Sequence, residues 1–309
     1  MDFLEFNKKF PTEEKAIEYF INIRYGDQIV CPYCGCIEKI YRRGNKRNKD
    51  FVCNNCNNEF SIFRNTIFEK SSTDIRIWFY AINQVLIAKK GISALQLQRE
   101  TGVTYKTAWR ILNQIRKAMG NDNDKKLFEA CVEIDETYVG GKPRKKSKKD
   151  DDDNDKNNFN KRGRGTNKTP VVGIKERNSN NVQAVVALPN EQNKRLTGMQ
   201  LLEILNKVCE KDCLVITDDF KGYGILDKET NEFVHLSVNH SINEFSKGNG
   251  VHTNGIESFW AVLKRGIYGI YHHVSVKHLQ RYVDEFCFRA NYKDTQENFD
   301  IILRNCILI

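Results

Sequence analysis

Two groups of residues in this chain have the types and spacing to do chemistry. The first is a set of thiols. Cys31-Pro-Tyr-Cys34 is followed, after eighteen intervening residues, by Cys53-Asn-Asn-Cys56. Each Cys-x-x-Cys pair can wrap one edge of a metal ion. Two such pairs supply the closed four-thiolate tetrahedron of a structural Zn²⁺ site. Cys36 lies close by as a rival ligand, but Cys31 and Cys34 keep the cleaner spacing. A segment this small buries little apolar surface, so residues 25–65 are expected to need the metal in order to fold. Between the two pairs, Arg42, Arg43, Lys46 and Arg47 mark a basic hairpin suited to DNA phosphates.

The second group is acidic. Asp135 lies inside Cys131–Val139, an alternating segment with β-branched residues that reads as a strand. Asp218 closes the apolar run Cys213–Thr217, at the strand end where α/β sheets place their sites. Glu257 stands in His252-Thr-Asn-Gly-Ile-Glu-Ser-Phe-Trp260, read as a helix start capped by Asn254. Lys264 follows seven residues later, two helical turns on, and so shares the face of Glu257. In-line displacement at phosphorus needs stabilisation of both the attacking and the leaving oxygen. Two hard divalent cations, Mg²⁺ or Mn²⁺, supply it, and carboxylates hold them. Lys264 would then act as a point charge on a phosphate.

Taken singly, each acid has a plainer explanation. Asp135 is a polar residue in a strand, Asp218 a turn former ahead of Gly222, and Glu257 a capping partner for Asn254. Their order of strand, strand and helix, behind modules suited to DNA, favours the chemical reading. Asp219 directly after Asp218, and Asn254 near Glu257, are alternative ligands at the second and third positions.

The elements that must position these groups follow from periodicity. Residues 91–119 read as a helix-turn-helix: Ser93 caps a first helix, Gly102 breaks it, and Thr104 caps a second. Ala108, Ile111, Leu112 and Ile115 recur at helical spacing in that second helix, which offers Tyr105, Lys106, Thr107 and Arg110 to a major groove. Trp78 and its apolar neighbours supply a helix behind the pair. Downstream, Val171–Ile174 and Val182–Leu188 read as strands, and Met199–Val208 as an amphipathic helix. Residues 142–168 hold basic, acidic and basic blocks with almost no apolar residues, the composition of a mobile insertion. Three regions result: 1–70 with the zinc ribbon, 71–122 with the helix-turn-helix, and 123–309 as an α/β catalytic region.

Bulk properties agree. The 309 residues carry a formal charge of +9, which points to a polyanionic partner. No apolar run reaches the ~18 residues of a membrane span, and the opening MDFLEFNKKF lacks the apolar core of a secretory signal. Ten cysteines without an export signal favour metal ligands or buried thiols over disulfides.

These motifs together resemble the ISXO2-like insertion-sequence transposases (the IS1595 group), whose eukaryotic relatives are the Merlin transposons. The likeness rests on both cysteine pairs, Glu133-Ile-Asp135-Glu-Thr-Tyr-Val-Gly-Gly141, Gly163-Arg-Gly165, Thr169-Pro-Val-Val-Gly173, Thr217-Asp218 before Gly222-Tyr223, Val238-Asn-His240-Ser241, and His252 to Trp260 leading to Lys264-Arg265. The resemblance implies a ribonuclease H-like core with DDE chemistry, with acids at Asp135, Asp218 and Glu257 and the accompanying lysine at Lys264. The mechanism that follows is binding of transposon terminal repeats and target DNA, strand cleavage and strand transfer, and, since two ends must be handled together, a homodimer or higher oligomer. The expected setting is the bacterial cytoplasm or nucleoid, or the nucleus of a eukaryotic host. The rival readings are a DNA-binding regulator that uses only the first two regions, and a domesticated nuclease that cuts without joining.

Overall fold

The computed structural model describes residues 1–44, 49–121, 128–140, 168–189, 196–218, 221–227, 232–238, 252–293, 295 and 297–307. The expected insertion at 142–168 lies outside these apart from Lys168, as do Lys46, Arg47 and Asp219. The chain divides into two compact units, Met1–Asn121 with Asp294–Ile309, and Asp122–Lys293. Residues 294–309, grouped with the catalytic region on sequence, fall in the first unit.

The first unit opens with α1 (Phe3–Lys9), closed by a reciprocal capping box between Asp2 and Glu5, and α2 (Glu13–Tyr25), capped by Thr12. A three-stranded antiparallel sheet follows, β1 (Ile40–Arg42), β2 (Asp50–Cys53) and β3 (Glu59–Ser61), in that order. Three helices come next: α3 (Ile75–Ile87), α4 (Ala94–Thr101) and α5 (Tyr105–Gly120). The Ser93 hydroxyl accepts from the Gln96 N–H, Gly102 ends α4 at φ 74°, and the Thr104 hydroxyl accepts from the Thr107 N–H. A left-handed residue at this place relieves the turn without the Cβ clash that other residues incur.

The last helix, α9 (Asn298–Asn305), packs on α2, α3 and α5. The physical reason is an aromatic core. The Phe10 ring meets those of Phe6, Tyr19, Phe79 and Phe299 at centroid distances of 5.4, 5.2, 5.0 and 5.7 Å. Without Phe299, Ile302 and Leu303, all buried, that cluster would lack one wall.

The second unit holds five strands: β4 (Cys131–Val139), β5 (Thr169–Glu176), β6 (Val182–Val186), β7 (Leu214–Asp218) and β8 (Val234–Val238). Their order is β6-β5-β4-β7-β8. β5 runs antiparallel to both β4 and β6, while β7 is parallel to β4 and β8 to β7. α6 (Gly198–Val208) covers one face with Leu201, Leu205 and Val208, which meet Val132, Ile134, Val172, Ile174 and Val215. α7 (Asn254–Gly266), a π turn (Ile267–Tyr271) and α8 (Val276–Asn291) cover the other. There Ile256, Trp260 and Leu263 meet Val139, Val171 and Ala184. Side chains alternate along a strand, so even-numbered β4 residues face α6 and odd-numbered ones, Glu133 and Asp135 among them, face α7.

Candidate metal centres

The cysteine site sits on two knuckles. In the first, the Gly35 N–H donates to the Cys31 carbonyl at 3.0 Å, with Gly35 at φ 71°. In the second, the Asn57 N–H donates to the Cys53 carbonyl at 2.8 Å, with Asn57 at φ 59°. These turns fold Cys31, Cys34, Cys53 and Cys56 inward until their sulfurs all lie within 4.8 Å of one another. Cys31 and Cys56 are 3.7 Å apart, and Cys34 and Cys53 3.6 Å. A tetrahedron with Zn–S bonds of ~2.3 Å has edges of about 3.8 Å, so the donor set fits a zinc ion. Cys36 is not among the four. Its backbone N–H, followed by the Asn55 side chain, draws the Cys34 thiol down to about 6, while burial pushes that of neighbouring Cys53 up to about 12, as for two thiols sharing a proton.

In the second unit, the β4–β7 ladder ends at Glu133 opposite Ile216. Continued by two residues, the same register would set Asp135 beside Asp218, the last residue of β7. Carboxylate oxygens of Asp135, Glu136 and Asp218 lie within 4.8 Å of one another. Asp135 is further held by α7, since the Trp260 indole N–H donates to its Oδ2 at 3.0 Å. The approach is close. A Cβ on Gly173, the β5 residue opposite Asp135, would lie 2.5 Å from the Trp260 ring.

The cluster concentrates negative charge in a half-buried place. Burial, followed by the charges of Glu136 and Asp218, pushes the Asp135 carboxyl up from its ordinary range to about 7. Crowded carboxylates repel, and a divalent cation among them turns that repulsion into attraction. On the opposite face of β4, the buried Tyr223 hydroxyl donates to Glu136 Oε2 at 3.0 Å.

Glu257 is exposed on the first turn of α7 and is not a member of that cluster. The Thr253 hydroxyl donates to its Oε1 at 3.2 Å. Lys264 is exposed two turns further along α7. The cap differs from the sequence expectation. Thr253 occupies the N-cap position, makes no cap hydrogen bond with its side chain, and leaves Asn254 as an exposed first helical residue. Sequence reasoning also missed Glu136, Trp260 and Glu133. The adjacency of Glu136 to Asp135 was a visible signal; the roles of Trp260 and Glu133 depend on how α7 docks.

Among the basic candidates, Arg42 and Arg43 are exposed on and beside β1, and Arg43 lies 3.6 Å from Glu59. Tyr105 and Lys106 are exposed at the start of α5. Thr107 is engaged in the cap, its hydroxyl 3.0 Å from that of Thr104. Arg110 turns back, with its guanidinium 5.6 Å from the Trp78 ring centre and donating to the Ser71 hydroxyl at 3.1 Å. No helix among the described residues is long and apolar enough to cross a membrane.

Comparison with known proteins supplies the family. Residues 11–59 match a transposase zinc-ribbon domain. A protein in transposable element ISH50 of Halobacterium salinarum is 29% identical over 262 residues, covering 84% of each chain. A transposase-like protein of Haemophilus influenzae is 30% identical over 117 residues, 38% of this chain and 87% of that one. No solved structure matches the chain. Residues 127–291, which contain β4 to α8 and both aspartates, match the ISXO2-like transposase domain, and the chain therefore belongs to the ISXO2-like transposases.

Proposed function

We propose that this transposase binds the ends of its element through the first unit and cuts and joins DNA at the Asp135–Asp218 cluster of the second. The observation that carries the proposal is the meeting of two aspartates from neighbouring parallel strands where their ladder ends. The sheet order, with three antiparallel strands followed by two parallel to the first, supports a ribonuclease H-like core. Asp218 and Asp135 lie on the sheet face covered by α7, the helix that carries Glu257 and Lys264.

In this reading Asp135, Asp218 and Glu257 would hold Mg²⁺ or Mn²⁺, and Lys264 would meet a phosphate. Bound divalent cations would stabilise the attacking and leaving oxygens of an in-line displacement at phosphorus. The Trp260 indole N–H holds the Asp135 carboxylate from α7. Cleavage of a phosphodiester by water would leave a 3′-OH and a 5′-phosphate; attack of that hydroxyl on a target phosphodiester would form the new P–O bond and expel the target strand's own 3′-OH. The two ends must be handled together, so the working form is at least a dimer.

The cysteine tetrad would hold Zn²⁺ as a structural ion. DNA would be gripped by the ribbon, through Arg42 and Arg43 with Lys46 and Arg47, and by α4–α5 as a helix-turn-helix. Tyr105 and Lys106 would lead into the groove, with Thr107 and Arg110 behind them.

The test is a strand-transfer assay on DNA carrying the element's own ends. Wild-type protein with Mg²⁺ should cut and join, and Asp135→Asn, Asp218→Asn and Glu257→Gln should each abolish both steps. Cleavage that survives the aspartate substitutions would sink the proposal, and cutting without joining would leave a nuclease.

A further inference from the structure

Glu133 is buried in the middle of a sheet, a costly place for a carboxylate unless every charge is answered. Arg177 answers it, with Nε donating to Glu133 Oε1 at 3.1 Å. The same guanidinium donates through Nη2 to the His252 carbonyl at 2.8 Å, one residue before the Thr253 N-cap. The other oxygen, Glu133 Oε2, accepts the Ile256 N–H at 2.9 Å. Ile256 is the third residue of α7, and its N–H is one that an N-cap side chain ordinarily satisfies. Thr253 stands at that position and does not do so; its hydroxyl goes to Glu257. His252 Nδ1 accepts from the Asn254 N–H at 3.4 Å, so its 3.6 Å approach to Glu133 is not a second hydrogen bond.

We infer that Glu133 is a positioning residue for catalysis: it caps α7 from the neighbouring strand and thereby sets where Glu257 stands relative to Asp135 and Asp218. The inference rests on the three-carboxylate reading above. α7 is fastened to β4 at two points, Glu133 to Ile256 and Asp135 to Trp260. Four helical residues rise about 6 Å, and two strand residues span about 6.6 Å, so both fastenings hold together when helix and strand run side by side. The apolar contacts of Ile256, Trp260 and Leu263 seat α7 on the sheet, and the two polar fastenings set its height and rotation there. Capping from outside also releases Thr253 to orient the Glu257 carboxylate. Gly255 belongs to the same device, because a Cβ there would lie 2.7 Å from Glu133 Oε2.

Two conservative substitutions separate this role from simple charge balance. Glu133→Gln keeps a carbonyl oxygen within reach of the Ile256 N–H but turns its NH2 toward the Arg177 guanidinium, giving up that hydrogen bond and the charge. Glu133→Asp keeps the charge but is one methylene too short to reach α7. The experiment titrates full-length protein with Mn²⁺ in the strand-cleavage assay at saturating DNA, with DNA-end binding followed in parallel. Glu133→Asp should raise the Mn²⁺ needed for half-maximal cleavage about tenfold, as losses of ligand-orienting partners commonly do. Glu133→Gln, assayed on protein whose melting shows it folded, should raise that requirement less than Glu133→Asp does, since it alone keeps the bond to α7. DNA-end binding should be unaffected in both. The reverse ranking, with Asp tolerated and Gln impaired, overturns the inference, and so does an unchanged Mn²⁺ requirement in both. Asp135→Asn serves as the control. If it still cleaves, the three-carboxylate reading itself fails; if it is dead while both Glu133 variants match wild type, only the positioning role fails.

Discussion

Asp135 makes stability a reporter of the carboxylate cluster. Its carboxyl is raised from the ordinary 3.8 to about 7, first by burial and then by Glu136 and Asp218. A raised acid binds its proton more tightly in the folded state. Its contribution is therefore whole below pH 3.8 and is lost as pH rises toward about 7. Between pH 5 and pH 8 about two units of that window are crossed, which at ~1.4 kcal/mol per unit is about 2.7 kcal/mol. For a unit of this size, ~1 kcal/mol moves the melting temperature by ~2–4 °C, so the second unit should melt about 5–10 °C lower at pH 8.

The assay is calorimetry of zinc-loaded protein across this range, with Mg²⁺ and Mn²⁺ omitted, comparing wild type with Asp135→Asn. Subtracting the variant removes the titrating groups that do not interact with Asp135 and leaves Asp135 with its coupling to Glu136 and Asp218. The variant should lack this part of the pH dependence and should be the more stable protein at pH 8. Added Mn²⁺ should raise the wild-type transition at pH 8 and leave the variant nearly unmoved. Parallel loss of stability in both proteins would refute the reasoning, because Asp135 would then titrate as an ordinary carboxylate outside any crowded site.

Four further outcomes are expected. Chelation of zinc should unfold residues 25–65, seen as new proteolytic cuts within that stretch, and Cys53→Ser should purify without the metal; unchanged circular dichroism with no zinc release would contradict this. Gly173→Ala would set a methyl 2.5 Å from the Trp260 ring; chemical denaturation should show a loss of about 2–3 kcal/mol, the upper range for overpacking. Arg110→Ala should cost about 1–2 kcal/mol through its lost contacts with Trp78 and Ser71. Lys106→Ala should leave stability within about 0.5 kcal/mol and lower the salt slope of DNA binding by about one.

Much of the architecture was legible because it is local. The Cys-x-x-Cys spacing foretold a tetrad that the structure brings within 4.8 Å. Ser93, Gly102 and Thr104 take the cap positions that their side chains and backbone preferences dictate. Alternation found β4, and an apolar run ending in an aspartate found β7. The N-terminal helices α1 and α2, the edge strand β8 and the helices α8 and α9 went unremarked. Their burial depends on partners far away in sequence, as Phe299 against Phe10 illustrates.

The candidate site divides in the same way. Residue types and order alone named Asp135, Asp218, Glu257 and the four cysteines. Spacing along a chain cannot give the pairing of parallel strands, so the meeting of Asp135 and its neighbour Glu136 with Asp218 came only with the fold. Local signals also assigned the α7 cap to Asn254, because a helix start is ordinarily satisfied by its own neighbours. Here Glu133 reaches that helix start across 123 residues of sequence. The sequence by itself determined which chemistry the chain can carry, since that depends on side-chain type. Tertiary packing decided which groups face one another and what holds them there, since burial and hydrogen-bond partners at such separations exist only once β4 and α7 have docked.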